Sequence, residues 1–319
     1  MGVLLTVAVI AAATSIGVAA EVRWRDRAAA AARSALTACV YTLLPIVTFF
    51  NLARVHIDVD AIGGVLLAYV ALAIAASLAW FAGRALDLPR PTRGGLITCV
   101  LIANTGYLGY PLCASLLGFD ALGQAVVYDV LVGSVALLLA SFAVGAAFGD
   151  KAGEGPRERV AAFFTRNPPL FAAIAALLAP DALAPDALVD ASRVAVVALL
   201  PIGFFAVGAI LAEEADEGHL SGGGSSASRP GPPTLGNPLR PPVSVAIVLR
   251  MVVMPGLLYL MALPLIDLPG PYLLLAAMPC GINTLLVGHV YGLDLRLAAQ
   301  AVAWSTAIAV TGALASLAF

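Results

Sequence analysis

Residues 103–111 read ANTGYLGYP, and residues 277–284 read AMPCGINT. Each stretch lies inside a long apolar segment and combines proline, glycine and asparagine. A proline inside a helix removes one backbone hydrogen bond and clashes with the preceding turn, and glycine weakens the helix further. We therefore predict that both segments form helices that are interrupted near their middle.

The rest of the sequence has the composition of a membrane protein. Of the 319 residues, 61% are hydrophobic and 11% are charged, and the mean hydropathy is +0.98. A soluble domain carries roughly 25% charged residues, so this chain has too little polar surface for a water-soluble fold. The sequence has no basic stripe that could follow a phosphate backbone, so we expect no nucleic-acid partner, and the net charge of −2 does not bear on this point.

Long apolar segments predict ten membrane spans, since each span needs about 20 mainly apolar residues. The first segment is interpreted as a span and not as a cleaved signal, because arginines follow it and none precedes it. The predicted spans are 2–20, 34–53, 61–82, 94–117, 122–147, 166–180, 192–212, 243–265, 271–290 and 297–317.

The basic residues predict how these spans are oriented. If both termini lie outside, all of the 17 Lys and Arg residues except Arg54, Arg193 and Arg250 fall in cytoplasmic connections. Cytoplasmic loops are enriched in Lys and Arg, so we expect outer termini and a multi-pass protein of the cell membrane. Arg250 falls within the eighth span, where it could attract anions or, the favoured alternative, extend to the lipid headgroups.

Matching motifs in the two halves predict an internal repeat. Residues 43–46 and 199–202 both read LLPI, and residues 124–126 and 300–302 both read QAV. The two interrupted segments are the fourth and the ninth spans, in the same order. Five spans per half would place the halves in opposite orientation, as in the inverted repeats of many secondary transporters. The predicted fold is therefore an all-α integral membrane protein of ten transmembrane helices, built as two inverted five-helix repeats with broken crossover helices 4 and 9.

These patterns also predict the domain boundaries. The first repeat covers residues 1–147, a cytoplasmic connection covers 148–165, and the second repeat covers 166–319. Residues 213–242 contain a GGGSS run and six prolines. That composition is typical of a flexible linker, here a cytoplasmic loop.

The interrupted helices predict a binding site near the middle of the membrane. If each second half-helix begins at its proline, its free N–H groups and positive dipole end face the midplane and favour an anion. The two asparagine amides could bind a carboxylate or help to coordinate a cation. The predicted substrate-binding residues are Asn104, Thr105, Gly106, Pro111, Pro279, Cys280, Asn283 and Thr284.

Asp129 is the acid that lies well inside a span, in the fifth. A carboxylate at that depth is costly, which makes Asp129 a candidate for coupling transport to a proton or another ion such as Na⁺. The alternative is a carboxylate hydrogen-bonded to neighbours such as Tyr128 or Ser134 with no role in transport. The sequence contains no arrangement typical of a catalytic or metal site, and we expect no cofactor besides a coupling H⁺ or Na⁺.

The sequence of the fourth span carries a family resemblance. Residues 104–112, NTGYLGYPL, resemble the Asn-x-Gly-[Phe/Tyr]-x-Gly-x-Pro-Leu signature of the auxin efflux carrier family, and residues 277–294 are similar to its C-terminal half. Departures are Cys280, where the family often has alanine, and the tyrosines Tyr107 and Tyr110 in place of commoner apolar residues.

The resemblance implies a carrier of small organic anions, auxin-like or malate- and malonate-like. Spans 1, 2, 6 and 7 would form a scaffold, often a homodimer interface, and spans 3–5 and 8–10 a moving transport domain. Asn104, Pro111, Pro279 and Asn283 would then lie beside the substrate.

Three other functions are alternatives to the carrier. A sodium-coupled bile-acid-type symporter would share the ten-helix architecture but needs more intramembrane carboxylates than Asp129 alone. A non-transporting receptor would be expected to carry a signalling domain. An intramembrane enzyme would need a nucleophile with a base, or a metal pair, which the sequence does not provide.

Overall fold

The computed structural model describes residues 3–53, 58–150, 157, 168–220 and 240–315, and all regular secondary structure in these residues is helical. The helices are α1 Val3–Trp24, α2 Arg27–Leu52, α3 Val59–Ala85, α4 Arg90–Leu101, α5 Tyr110–Leu116, α6 Phe119–Phe148, α7 Pro168–Leu178, α8 Asp186–Leu220, α9 Pro241–Ala262, α10 Gly270–Ala276, α11 Asn283–Tyr291 and α12 Leu295–Ala315.

Among the described residues, seven helices are long and apolar enough to cross a membrane: α1, α2, α3, α6, α8, α9 and α12. An apolar helix satisfies its own backbone hydrogen bonds, which is what the bilayer interior requires. The helix α7 is also apolar but shorter. The predicted all-helical membrane class is thus confirmed, whereas the count of ten spans stays a prediction.

The predicted fourth and ninth spans each consist of two short helices separated by irregular backbone. The helix α4 ends at Leu101, a π-helical turn covers Thr105–Gly109, and α5 follows with Pro111 in its first turn. The helix α10 ends at Ala276, and α11 begins at Asn283. The prediction that both second helices begin at their prolines is wrong for Pro279, which belongs to the irregular segment. Pro111 does lie in the first turn of α5, but a π-helical turn that begins at Thr105 leads directly into that helix.

A glycine with positive φ follows each of these interrupted segments. Gly118 precedes α6 with φ 90°, and Gly292 precedes α12 with φ 73°. Positive φ values are easily adopted only by glycine. Each turn redirects the chain from the end of an interrupted segment into the following long helix.

The helices α1 and α8 pack closely through glycines. A Cβ atom at Gly17 would lie 2.1 Å from the backbone oxygen of Phe205, and one at Gly208 would lie 2.1 Å from that of Thr14. Small residues let membrane helices approach at backbone distance.

The helix α8 continues past its predicted span end to Leu220, so residues 213–220 are helical. At this end Arg33 of α2 forms an ion pair with Glu213 at 2.7 Å. The rest of the predicted loop up to residue 239, most of the predicted connection 148–165 and Arg54 lie outside the described residues.

Candidate functional site

The two interrupted segments cross and hydrogen-bond to each other. The Asn104 N–H donates to the Pro279 carbonyl at 2.9 Å, and the Gly281 N–H donates to the Ile102 carbonyl at 2.8 Å. Ala103 and Cys280 thereby form an isolated antiparallel β-bridge. Unpaired backbone groups are expensive in an apolar environment, and here each break supplies partners for the other. We call this region the crossing, residues 102–104 and 279–281.

The crossing is closely packed. A Cβ atom at Gly281 would lie 2.7 Å from the backbone oxygen of Ala103, so only glycine fits there without movement of the backbone. The Cys280 N–H donates to the Ser305 hydroxyl of α12 at 3.1 Å. The crossing is therefore fixed both by its own hydrogen bonds and by a neighbouring helix.

Arg250 of α9 binds the two segments from one side. Its side chain is 1% exposed. Its Nε donates to the carbonyl of Met278 at 3.1 Å, Nη1 to that of Val100 at 3.0 Å and Nη2 to that of Ala276 at 2.8 Å. These carbonyls lie at or just beyond the C-terminal ends of α4 and α10, where the helix dipole places partial negative charge. The expectation that Arg250 extends to the headgroups is wrong, because backbone acceptors hold it inside the protein.

Asp129 of α6 lies beside the first interrupted segment. Its carboxylate accepts a hydrogen bond from the Tyr110 hydroxyl at 2.7 Å and another from the Thr105 hydroxyl. The partners considered from the sequence, Tyr128 and Ser134, are not these residues. The carboxylate therefore connects α6 to the start of α5 and to the π-helical turn.

The eight residues predicted to bind substrate all lie in or beside the two breaks. Two of them carry buried polar atoms with no hydrogen-bond partner among the described residues, the Asn104 Nδ2 and the Thr284 Oγ1. Leaving such an atom unpaired costs about 1–3 kcal/mol, so these two atoms lack the partner that a buried polar group normally has. The buried members of the set are Asn104, Thr105, Pro111, Pro279, Cys280 and Thr284, and the half-buried ones are Gly106 and Asn283.

Tyr107 attaches the π-helical turn to two other helices. A Cβ atom at Gly203 of α8 would lie 2.7 Å from the Tyr107 side chain, so the ring packs directly on the glycine backbone. Its hydroxyl donates to the Leu36 carbonyl of α2 at 3.5 Å. From the sequence, Tyr107 and Tyr110 are only departures from the family signature. A phenolic hydroxyl at membrane depth is the feature that could have marked them as candidate site residues.

In the described part of the chain, no group of three or more His, Cys, Asp or Glu side chains could hold a metal ion. The polar groups in and beside the crossing are therefore backbone dipoles, amides, hydroxyls, the Asp129 carboxylate and the Arg250 guanidinium. Such an arrangement can bind and orient a small polar solute.

A chain with several apolar spanning helices and two hydrogen-bonded interruptions belongs to the class of multi-pass membrane proteins. Residues 165–314 match the family model described as membrane transport protein. A curated relative from Methanocaldococcus jannaschii, described as an uncharacterized transporter, is 24% identical over 218 residues. The match covers 66% of this chain and 62% of the relative. These findings confirm the resemblance of the chain to the auxin efflux carrier family of membrane transporters.

Proposed function

We propose that this transporter is a secondary carrier that moves a small organic anion across the membrane by alternating access, with its substrate at the crossing. The observation that carries the proposal is the pairing of residues 102–104 with residues 279–281. Interrupted helices at matching places in two halves of a transporter are the best sequence indication of a substrate site. Irregular backbone at membrane depth is tolerated where it is buried in protein or lines a wet cavity.

The proposed architecture has ten spans in two inverted repeats, residues 1–147 and 166–319. In it, α4 and α5 together form the fourth span, α7 the sixth, and α10 and α11 the ninth. The positive-φ glycines Gly118 and Gly292, which follow the two interrupted segments at matching places, support this assignment. By the distribution of basic residues both termini lie outside the cell membrane, and by the family resemblance spans 1, 2, 6 and 7 form the scaffold of a homodimer.

The charges around the crossing favour an anionic substrate. Arg250 compensates the negative ends of α4 and α10, and Asp129 already accepts hydrogen bonds beside the start of α5. The positive N-terminal end of α11 remains, with the unpaired Thr284 Oγ1 in its first turn and the unpaired Asn104 Nδ2 in the opposite break. A carboxylate placed there would accept hydrogen bonds from the Asn104 and Asn283 amides and gain the dipole of α11.

Asp129 is the proposed coupling group. The Tyr110 and Thr105 hydroxyls both donate to its carboxylate, which makes these bonds sensitive to a proton or a cation at the carboxylate. Because Thr105 directly follows Asn104, a change in its hydrogen bond to Asp129 would affect the segment next to the proposed substrate site.

The test is uptake by proteoliposomes that contain the purified full chain. The panel consists of radiolabelled indole-3-acetate, malate and malonate, each with and without imposed pH and sodium gradients. We expect saturable uptake of at least one acid, competition by related acids and no uptake into protein-free vesicles. Failure to observe saturable flux of any organic acid would reject the carrier, and tight binding without flux would favour a receptor.

A further inference from the structure

Arg250 is the largest fully buried side chain among the described residues. Such a buried charge usually pairs with a carboxylate, yet each of its three nitrogen atoms donates to a backbone carbonyl. A guanidinium has five N–H groups, and the three carbonyls together with the Tyr128 hydroxyl leave at most one of them for a substrate carboxylate. The arrangement therefore argues against Arg250 as a direct ligand for the substrate.

The three acceptors belong to both interrupted segments. The last carbonyls of a helix lack intrahelical partners, and α4 and α10 present theirs to the same guanidinium. A guanidinium is planar and holds its donors in a fixed fork, so it fixes the relative position of the groups that accept from it. An ammonium group keeps the charge but lacks that geometry.

The acceptors are close in sequence to the residues that form the crossing. Val100 lies one helical turn before Asn104, and Met278 directly precedes Pro279, which accepts from the Asn104 N–H. The Tyr128 hydroxyl also lies against Arg250, next in sequence to Asp129 on α6. One side chain thus contacts both breaks and the helix that carries the proposed coupling group.

We propose that Arg250 is a positioning residue of the transport site, which sets the register of the two breaks and thereby the separation of the Asn104 and Asn283 amides. The part of this inference that concerns substrate rests on the proposed function, whereas the part that concerns the breaks does not. The two parts therefore need separate measurements.

The first measurement is hydrogen exchange by mass spectrometry on the purified chain and its Arg250→Gln and Arg250→Lys variants. The reporters are the Asn104 and Gly281 N–H groups, which make the two hydrogen bonds of the crossing. We expect exchange at both to be about tenfold faster or more in Arg250→Gln, and intermediate in Arg250→Lys, because local opening becomes easier. Exchange in α3 should not change.

The control is Arg240→Gln, which removes an exposed charge just before the first residue of the same helix. It should leave exchange at both reporters unchanged. Unchanged exchange in Arg250→Gln would overturn the assignment, and so would an equal increase in α3, since that indicates general destabilisation. If Arg250→Gln does not fold, Arg250→Lys decides in the same way.

The second measurement is uptake kinetics of Arg250→Lys. We expect the KM to rise about tenfold while Vmax stays within about threefold, because misplacement of binding groups by about 1 Å weakens binding strongly. Faster exchange at the crossing together with an unchanged KM would overturn the link to the substrate site. Absence of transport by the unmodified chain would reject the proposed function, and the exchange data would still decide whether Arg250 positions the breaks.

Discussion

At the scale of single residues, the polar side chains of the crossing fall into two groups. Arg250 and Asp129 have several hydrogen bonds to protein groups, whereas the Asn104 Nδ2 and the Thr284 Oγ1 have none among the described residues. Buried polar groups in proteins are nearly always bonded, and exceptions call for an explanation. Binding of a solute is the explanation that follows from the proposed function.

Asn104→Ala and Asn283→Ala test the two amides. Each substitution should raise the KM of the transported acid about tenfold or more, since a hydrogen bond to a charged group contributes about 1.5–3 kcal/mol. Thermal unfolding in detergent should show that both variants fold. Asn51→Ala is the matched control, because Asn51 is a buried asparagine of α2 bonded to Ser192, and its KM should be unchanged. Unchanged affinity in both test variants would move the site elsewhere.

Asp129→Asn tests the coupling group. Thr105 and Tyr110 donate to different oxygens of the carboxylate, so an amide in the same orientation keeps only one of these two bonds. An amide also does not bind or release a proton at physiological pH. We expect uptake in this variant to lose its response to an imposed pH gradient, while Tyr110→Phe weakens transport and keeps that response. A full pH-gradient response in Asp129→Asn would reject Asp129 as the proton carrier.

The sequence predicted where the functional residues lie better than what they contact. The depth of Asp129 follows from its place in an apolar segment, but its partners are 19 and 24 residues away in sequence. Arg250 was misjudged for the same reason, since the Val100 carbonyl that accepts from it is 150 residues away. Every residue has a backbone carbonyl, so a pattern of residue types does not show which carbonyl will accept a hydrogen bond.

At the scale of helices, the interruptions were predictable and their exact ends were not. Proline, glycine and asparagine in residues 103–111 and 277–284 indicated both breaks. The sequence did not indicate that α11 starts at Asn283. A helix that began at Pro279 would use the Pro279 carbonyl for its first hydrogen bond, but this carbonyl accepts from the Asn104 N–H of the other segment. A helix end that depends on a distant partner cannot be placed from local propensity alone.

Gly208→Ala tests the close packing of α1 against α8. The new methyl group would fall 2.1 Å from the Thr14 backbone oxygen, so the helices must separate. We expect a loss of about 1–3 kcal/mol in stability, measured as thermal or denaturant unfolding in detergent. Gly256→Ala in α9 is the control, because nothing lies within 4 Å of its added Cβ, and it should be neutral or stabilising by up to about 1 kcal/mol. Equal effects of the two substitutions would contradict the packing argument.

At the scale of the whole molecule, an ion pair connects the proposed scaffold to the proposed moving unit. Arg193 of α8 lies 2.9 Å from Asp120, which lies in the first turn of α6. The membrane class was predictable from composition, because a chain with so few charged residues has too little polar surface for a water-soluble fold. The relative placement of the two units was not, because it depends on contacts between distant segments.

Alternating access predicts that a covalent link across this pair stops transport. Asp120→Cys with Arg193→Cys, joined by a reducible bifunctional thiol reagent of matching length, should abolish most uptake, and a reductant should restore it. The control link joins Gly63→Cys to Ile266→Cys within the proposed moving unit, because a Cβ atom at Gly63 would lie 3.1 Å from the Ile266 side chain. Inhibition by both links, or by neither, would contradict the proposed division into two units.

The pairing of the two breaks also affects how the chain is made. Ala103 is synthesised 177 residues before Cys280, which at about 5–20 residues per second is an interval of about 9–35 s. Throughout that interval the Ile102 carbonyl and the Asn104 N–H lack their later partners, and lipid supplies none. On the proposed architecture, we therefore expect residues 102–104 to remain in a wet or protein-lined environment until residues 279–281 have been synthesised.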